Sequence, residues 1–377
     1  MGATAGNSGQ WQLGRRPALD GVRALAIIAV LGVHLSTILV PTLNGALFVG
    51  GVIGVDMFFV LSGFLITSLL IEEHQRSGRI SLGSFWRRRA LRLFPALYVL
   101  MAAQLLYTVL MHDPLGYALK GDGLIAAYTS NWAWTFGWPI PFGLDNTWSL
   151  GVEEQFYLLW PLVLMLLLRS RRGWAVPVLA IPAAVAGAAF RWHLVLTSGS
   201  WIKPISETSD HLDTLMIGAL LAWALHAGWR PPWWAARLLA WPAIGFLAWV
   251  TQTTAPELGR YGLVYTVSGL ATALVILGTL EPKGLAYRVL ALRPLRWIGR
   301  LSYSLYLWHV LLFEAIERAR PTSNPWARGV VGFGLAFVLA CASYYGVERP
   351  FLALKDRRRA PEPRVRGEAP VALPLAD

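Results

Sequence analysis

Ten stretches of mainly apolar residues, each close to the length of a bilayer crossing, recur along this chain and leave little room for anything else. A hydrocarbon core is spanned by about 20 apolar residues in a helix. Such runs fall at 22–41, 49–71, 93–111, 149–168, 174–190, 213–228, 238–252, 262–280, 301–317 and 328–347. Inside lipid every backbone N–H and C=O must be bonded within the protein, which favours helices. The predicted fold class is therefore an all-α membrane protein, about ten transmembrane helices in a single bundle. Composition agrees: of 377 residues 55% are hydrophobic and only 14% charged, with a mean hydropathy of +0.49. A soluble domain carries about 25% charged residues, so an ordinary soluble enzyme and a disordered chain are both excluded. The fifth, sixth and seventh runs are the shortest. Pro161 and Pro182 lie inside runs, where neighbouring helices can re-satisfy the backbone.

The net charge of +12 would suit nucleic acid, but the basic residues alternate with apolar runs, as in a membrane protein with a basic inner face. With the N-terminus inside, the inner segments hold 25 of the 33 Lys and Arg residues. Both termini are thus expected in the cytoplasm, with the lipid bilayer rather than nucleic acid as the surrounding partner. Asp20 and Arg23 break into the first apolar run and no small-residue cleavage site follows, so the start does not read as a signal peptide. Residues 1–17 read as a flexible N-terminal segment, 18–355 as the membrane domain and 356–377 as a flexible basic tail. The lone Cys341 can form no internal disulfide. The outer loop 112–148 carries Trp132, Trp134, Trp138 and Trp148. Interfacial anchoring and a re-entrant segment over a cavity both account for them.

Ionisable groups inside apolar runs are expensive and each needs a reason. Arg23 and His34 lie eleven residues apart on the first run, about three helical turns, so they share a face about 16 Å apart. A snorkelling cation and a helix-packing donor are the bland alternatives. The second run, GVDMFFVLSGFLIT, places Asp56 among aromatics and Ser62 beside Gly63. The inner loop FWRRRALRLFP sets Arg88, Arg89 and Arg92 at spacings of three and four, one cationic face that can clamp phosphate or anchor to anionic lipid. The fourth run opens DNTWSLGVEEQFYLLWP. Glu153 and Glu154 are about 100° apart there, and Tyr157 lies one turn below Glu153. Of the two, Glu153 is expected to meet His34, and Glu154 to be a helix-packing or acceptor-side group. The ninth run puts Ser302, Tyr306 and His309 on one face, a polar stripe toward the bundle. At the end of the last run, Glu348 and Arg349 read as local partners before Pro350 stops the helix.

Taken together, Arg23 with His34, FFVLSGFLIT, FWRRRALRLFP, TWSLGVEEQFYLLWP, SYSLYLWH and VERPF resemble the membrane-bound acyltransferase-3 family, in family order from about Pro17 to Phe351. The resemblance implies transfer of an acyl group, most often acetyl, from cytoplasmic acyl-CoA to a hydroxyl of a sugar-bearing acceptor. It implies that His34 is the catalytic histidine and Arg23 its paired arginine. Arg88, Arg89 and Arg92 would serve the CoA phosphates, and Glu153 or Glu154 would belong to the active site. Asp56, Ser62, Trp148, Tyr157, Ser302, Tyr306 and His309 are the expected pocket residues. Acyl-CoA, above all acetyl-CoA, is the implied co-substrate, with no metal. Many relatives have a histidine where this chain has Asn146, so a proton-transfer role there is absent. Some carry a further extracytoplasmic domain. Here 26 residues follow Phe351, and the membrane domain is expected to complete transfer itself or hand the acyl group on.

Deprotonating a hydroxyl as it attacks a thioester calls for a base near neutrality, which suits histidine. A flippase carrying an acyl donor or glycolipid without chemistry is the competing reading, with the intramembrane charges as its pathway. A closed tunnel from the inner arginines toward His34 favours the enzyme; alternating cavities favour the transporter. The Ala-, Arg-, Gly- and Trp-rich usage points to a high-GC bacterium, so the expected location is a bacterial cytoplasmic membrane.

Overall fold

The computed structural model describes residues 11–41, 48–170, 172, 174–197, 207–252, 262–320 and 324–357. Residues 1–10 of the expected N-terminal segment and 358–377 of the expected tail lie outside them. All regular structure among the described residues is helical, with no strand. The elements are α1 (Pro17–His34), α2 (Ile53–Ser77), α3 (Leu82–Leu110), α4 (Leu115–Ala126), α5 (Ser130–Phe136), α6 (Trp148–Arg169) and α7 (Ala175–Thr197). There follow α8 (Leu212–His226), α9 (Trp233–Val250), α10 (Leu263–Leu280), α11 (Leu285–Leu290), α12 (Arg293–Ala319), α13 (Pro325–Ser343) and α14 (Arg349–Arg357).

Each of the ten apolar runs coincides with one helix, and among the described residues eight helices are long and apolar enough to cross a membrane. The sixth and ninth runs depart from that rule for different reasons. Helix α8 has 15 residues, about 22 Å at 1.5 Å per residue, short of a bilayer core of about 30 Å. It packs against α2, α7 and α10, so protein covers much of its surface. Helix α12 has 27 residues and is long enough, but Arg293, Arg296 and Arg300 and the polar stripe beyond them lower its hydropathy. That stripe faces protein: Ser302, Tyr306 and His309 are all buried. Large apolar side chains such as Leu106, Leu166 and Val330 point outward, as a lipid-facing surface requires.

The loop after α3 turns back on itself. Helices α4 and α5 form a hairpin with Tyr128 at its tip, in the left-handed region at φ 55°. The Tyr128 ring lies 5.6 Å from Phe94, near the middle of α3, so the hairpin dips into the bundle. Trp134 is tied into it through Asp145, Trp148 packs inward on His211, and Trp132 and Trp138 face outward. The tryptophans therefore divide between the two roles the sequence left open. At the other end, Pro350 does not stop the last helix. A π-helical turn at Tyr344–Glu348 ends one segment, and Pro350 falls in the first turn of α14, where its missing N–H costs nothing.

Two close backbone approaches position the interior. At Gly63 and Gly218 the backbones of α2 and α8 touch, since a Cβ on either would overlap a carbonyl of the other helix. At Gly299 a Cβ would overlap the carbonyl oxygen of Asp20, so α1 and α12 are in backbone contact. Those two helices run side by side in the same direction and bring their polar faces together.

Candidate active site

Helix α1 presents Arg23 and His34 to the stripe on α12. Toward the N-terminal end of this seam, Nε and Nη2 of Arg23 both donate to Oγ of Ser302, at 3.2 and 3.0 Å. Toward its C-terminal end the rings of His34 and His309 meet edge to face, 4.8 Å between centroids. Nδ1 of His34 lies 2.9 Å from the Val30 carbonyl and 3.3 Å from Nε2 of His309. Between these pairs stands Tyr306, whose hydroxyl donates to the Asn146 carbonyl at 2.8 Å and lies 2.5 Å from Oγ of Ser149. The Asn146 amide in turn donates to the backbone carbonyl of Tyr306. Asn146 thus fastens the 3₁₀ turn before α6 to α12.

A cavity opens between α1, α2, α3, α6 and α12. Arg23, Arg89 and Arg92 line it, as do Ser62, Glu153, Tyr157, Ser149, Ser302 and Tyr306. Three guanidiniums and one carboxylate make it cationic. Glu153 is held by the hydroxyls of Ser62 and Tyr157, and those two hydroxyl oxygens lie 2.8 Å apart. The guanidinium of Arg89 sits over the Tyr157 ring, 4.3 Å from its centroid, a cation–π arrangement that holds a cation in a half-apolar wall. His34 and His309 are not in the lining. The cavity ends at Tyr306, whose ring is 5.7 Å from that of His309.

Several sequence expectations are corrected by this arrangement. Glu153 does not meet His34: it faces Ser62 and Tyr157, and the neighbour of His34 is His309. Arg88 is not part of the cavity face: Arg89 and Arg92, three positions apart, line it, while Arg88 turns to Glu73 at 3.4 Å. Glu348 does not pair with Arg349; it accepts from Ser304 on α12. Glu154 points away from the cavity toward a second space shared with Tyr128, Trp86 and Phe94. Asp56 is buried behind Phe59, where Nδ1 of His211 lies 3.1 Å from its carboxylate. Trp148 stacks on that imidazole and Phe59 packs on it, at 5.4 and 4.7 Å between centroids.

Sequence reasoning missed His211 and Ser149. A carboxylate buried at Asp56 demands a partner, but His211 precedes the sixth apolar run and lies 155 positions away. Ser149 sits inside a quoted motif yet shows its role only beside Tyr306. In chemical terms, the arrangement offers a cationic cleft for an anionic ligand and an imidazole beyond its far end. Guanidiniums bind phosphates in pairs of hydrogen bonds, and imidazole exchanges protons near neutral pH.

Comparison with known proteins gives the family. A family described as acyltransferase domain matches residues 16–345, nearly the whole described bundle. The chain belongs to the acyltransferase-3 family. It is 32% identical over 366 residues to the peptidoglycan O-acetyltransferase OatA of Listeria monocytogenes, covering 89% of this chain and 55% of that protein. It is 34% identical over 315 residues to the O-acetyltransferase OatA of Staphylococcus aureus, covering 78% of this chain and 50% of the relative. The chain therefore spans about half the length of these acyltransferase-3 relatives. No solved structure matches it. The protein is a multipass membrane member of this family.

Proposed function

We propose that the protein transfers an acetyl group from cytoplasmic acetyl-CoA to a sugar hydroxyl of a cell-envelope glycan, in a bacterial cytoplasmic membrane. The observation that carries this reading is a cationic cavity beside the α1–α12 seam: Arg23, Arg89 and Arg92 line it together with Tyr306, whose ring is 5.7 Å from that of His309. Residues 18–355 form the working unit. Arg89 and Arg92, with Arg23 above them, bind the phosphates of the donor, and the long thin arm of the donor follows the cavity toward Tyr306. Arg23 is held in register by Ser302. Glu153, through Ser62 and Tyr157, shapes the wall and balances the charge of the arginines.

His34 is the general base. The hydroxyl proton passes to Nε2 of His34 as the acceptor oxygen attacks the thioester carbonyl carbon. The C–S bond then breaks, and the same proton returns from Nε2 to the departing thiolate. The Listeria relative, named a peptidoglycan O-acetyltransferase, supports a glycan acceptor, and a peptidoglycan sugar is the first candidate. The test is incubation of the purified full chain, in lipid nanodiscs, with labelled acetyl-CoA and a panel of glycan oligosaccharides. The expected result is labelled O-acetyl ester on one class of glycan. Transport of donor or glycan across a vesicle membrane without any ester formed would replace this reading with the transporter one.

A further inference from the structure

The two imidazoles at the C-terminal end of the α1–α12 seam constrain each other's protons. Nδ1 of His309 lies 3.0 Å from the carbonyl of Leu305 and 2.8 Å from that of Tyr306. Carbonyls only accept, so this nitrogen carries the hydrogen and Nε2 of neutral His309 keeps a lone pair. Nδ1 of His34 lies against another carbonyl, that of Val30, and so carries a hydrogen as well. That hydrogen also faces the lone pair on Nε2 of His309 at 3.3 Å. What is left on His34 is a bare Nε2 that makes no hydrogen bond among the described residues and is not sealed from its surroundings.

We propose that His309 is a positioning residue: it fixes His34 in the tautomer whose Nε2 is the base, and it shares the positive charge that forms on the pair. The proposal rests on the reading of His34 as general base. In a serine-hydrolase triad a carboxylate performs this service. Here, among the described residues, no carboxylate lies within 4.0 Å of either ring, the one imidazole–carboxylate pair being His211 with Asp56. Other titratable and charged groups near this end are occupied elsewhere. On α12 the Tyr306 hydroxyl is engaged with Ser149 and Asn146, and Glu314, five residues beyond His309, accepts from the Gly143 backbone. On α6 Glu153 is held by Ser62 and Tyr157, and Arg328 of α13 pairs with Glu317. When Nε2 of His34 takes the hydroxyl proton, the Nδ1 hydrogen stays in place between Val30 and His309. Three carbonyls and two imidazoles then spread one charge, and no proton leaves the pair until the thiolate collects it.

A series at one position separates this role from packing. His309→Phe keeps an aromatic ring but removes the acceptor, His309→Gln restores a neutral acceptor, and His309→Glu supplies an anionic one. The assay is kcat/KM for acetyl transfer against pH, with the full chain in nanodiscs. For Phe we expect a fall of about 10²-fold, the low end of what base catalysis contributes, and an acidic limb moved to lower pH. Gln should recover at least a tenth of the parent rate with the limb between the two, and Glu should move the limb to higher pH. An acidic limb that stays in place through the whole series overturns the proposal, as does a Phe variant at the parent rate. Should Phe and Glu fail to fold, the Gln variant decides alone: it must shift the limb. If His34→Ala itself retains the parent rate, the base reading fails first, and that result is distinct from either outcome at His309.

Discussion

A single methyl group far from the histidines should disable the enzyme. At Gly299 a Cβ would overlap the carbonyl oxygen of Asp20, and backbone on both sides leaves no flexible side chain to yield. Clearing the overlap requires α1 and α12 to separate by roughly 1 Å. The bonds from Arg23 to Ser302, now 3.2 and 3.0 Å, would then lie near or beyond 4 Å, where a hydrogen bond no longer exists. The contact between His34 and His309, now 3.3 Å, would open by a similar amount. Misplacement of a catalytic group by 1 Å costs about 10²-fold in rate. Gly299→Ala is therefore expected to lower acetyl transfer by about two orders of magnitude while the protein still inserts in the membrane. The measurement is turnover per mole of protein that elutes as a single folded species in detergent. A rate within twofold of the parent at equal folded yield would refute the claim that backbone contact between α1 and α12 sets the site.

The remaining predictions address the donor end, the carboxylate and the outer loop. Arg89→Ala and Arg92→Ala should each raise the KM for acetyl-CoA about tenfold, the worth of one charge-assisted contact. Arg88→Ala should raise it less, since Arg88 turns to Glu73; equal KM values for all three variants and the parent would remove the phosphate role. Glu153→Gln should slow turnover but leave the acidic limb of the pH profile in place, because Glu153 does not touch His34. A displaced limb would put the two side by side after all. In the outer segment before α8, burial pushes the carboxyl of Asp210 up to about 7 from an ordinary 3.8. Folding then favours the protonated form, so the stability this group contributes falls as pH rises from about 4 to 7. Asp210→Asn should raise Tm by about 2 °C or more at pH 8 and leave it unchanged at pH 4; an equal change at both would refute the sign.

Most of the architecture was legible because the bilayer demands long apolar helices, and that demand is written directly in residue type. Where the rule is relaxed, legibility falls. Helix α8 is short because α2, α7 and α10 cover it, and α12 is polar because its stripe meets α1. The Glu153–Tyr157 pairing follows from a four-residue spacing on one helix and was readable. Its neighbour Ser62 sits on another helix, and no spacing reveals which helix faces which. The same limit hid the approach of His34 to His309, which are 275 positions apart, and the partner of Asp56. Helical periodicity orients a residue about its own axis. It says nothing about the neighbouring axis, and so the expected link from His34 to Glu153 went to the wrong helix.

The central claim is that His34 takes the proton of the acceptor hydroxyl while the arginines hold the donor, and one variant tests both halves together. Purified His34→Ala should bind CoA with the parent Kd, because Arg89 and Arg92 are untouched. Its transfer of labelled acetyl to glycan should fall by 10²-fold or more, the scale of general-base catalysis. Transfer above a tenth of the parent rate, with CoA bound as before, would contradict the account.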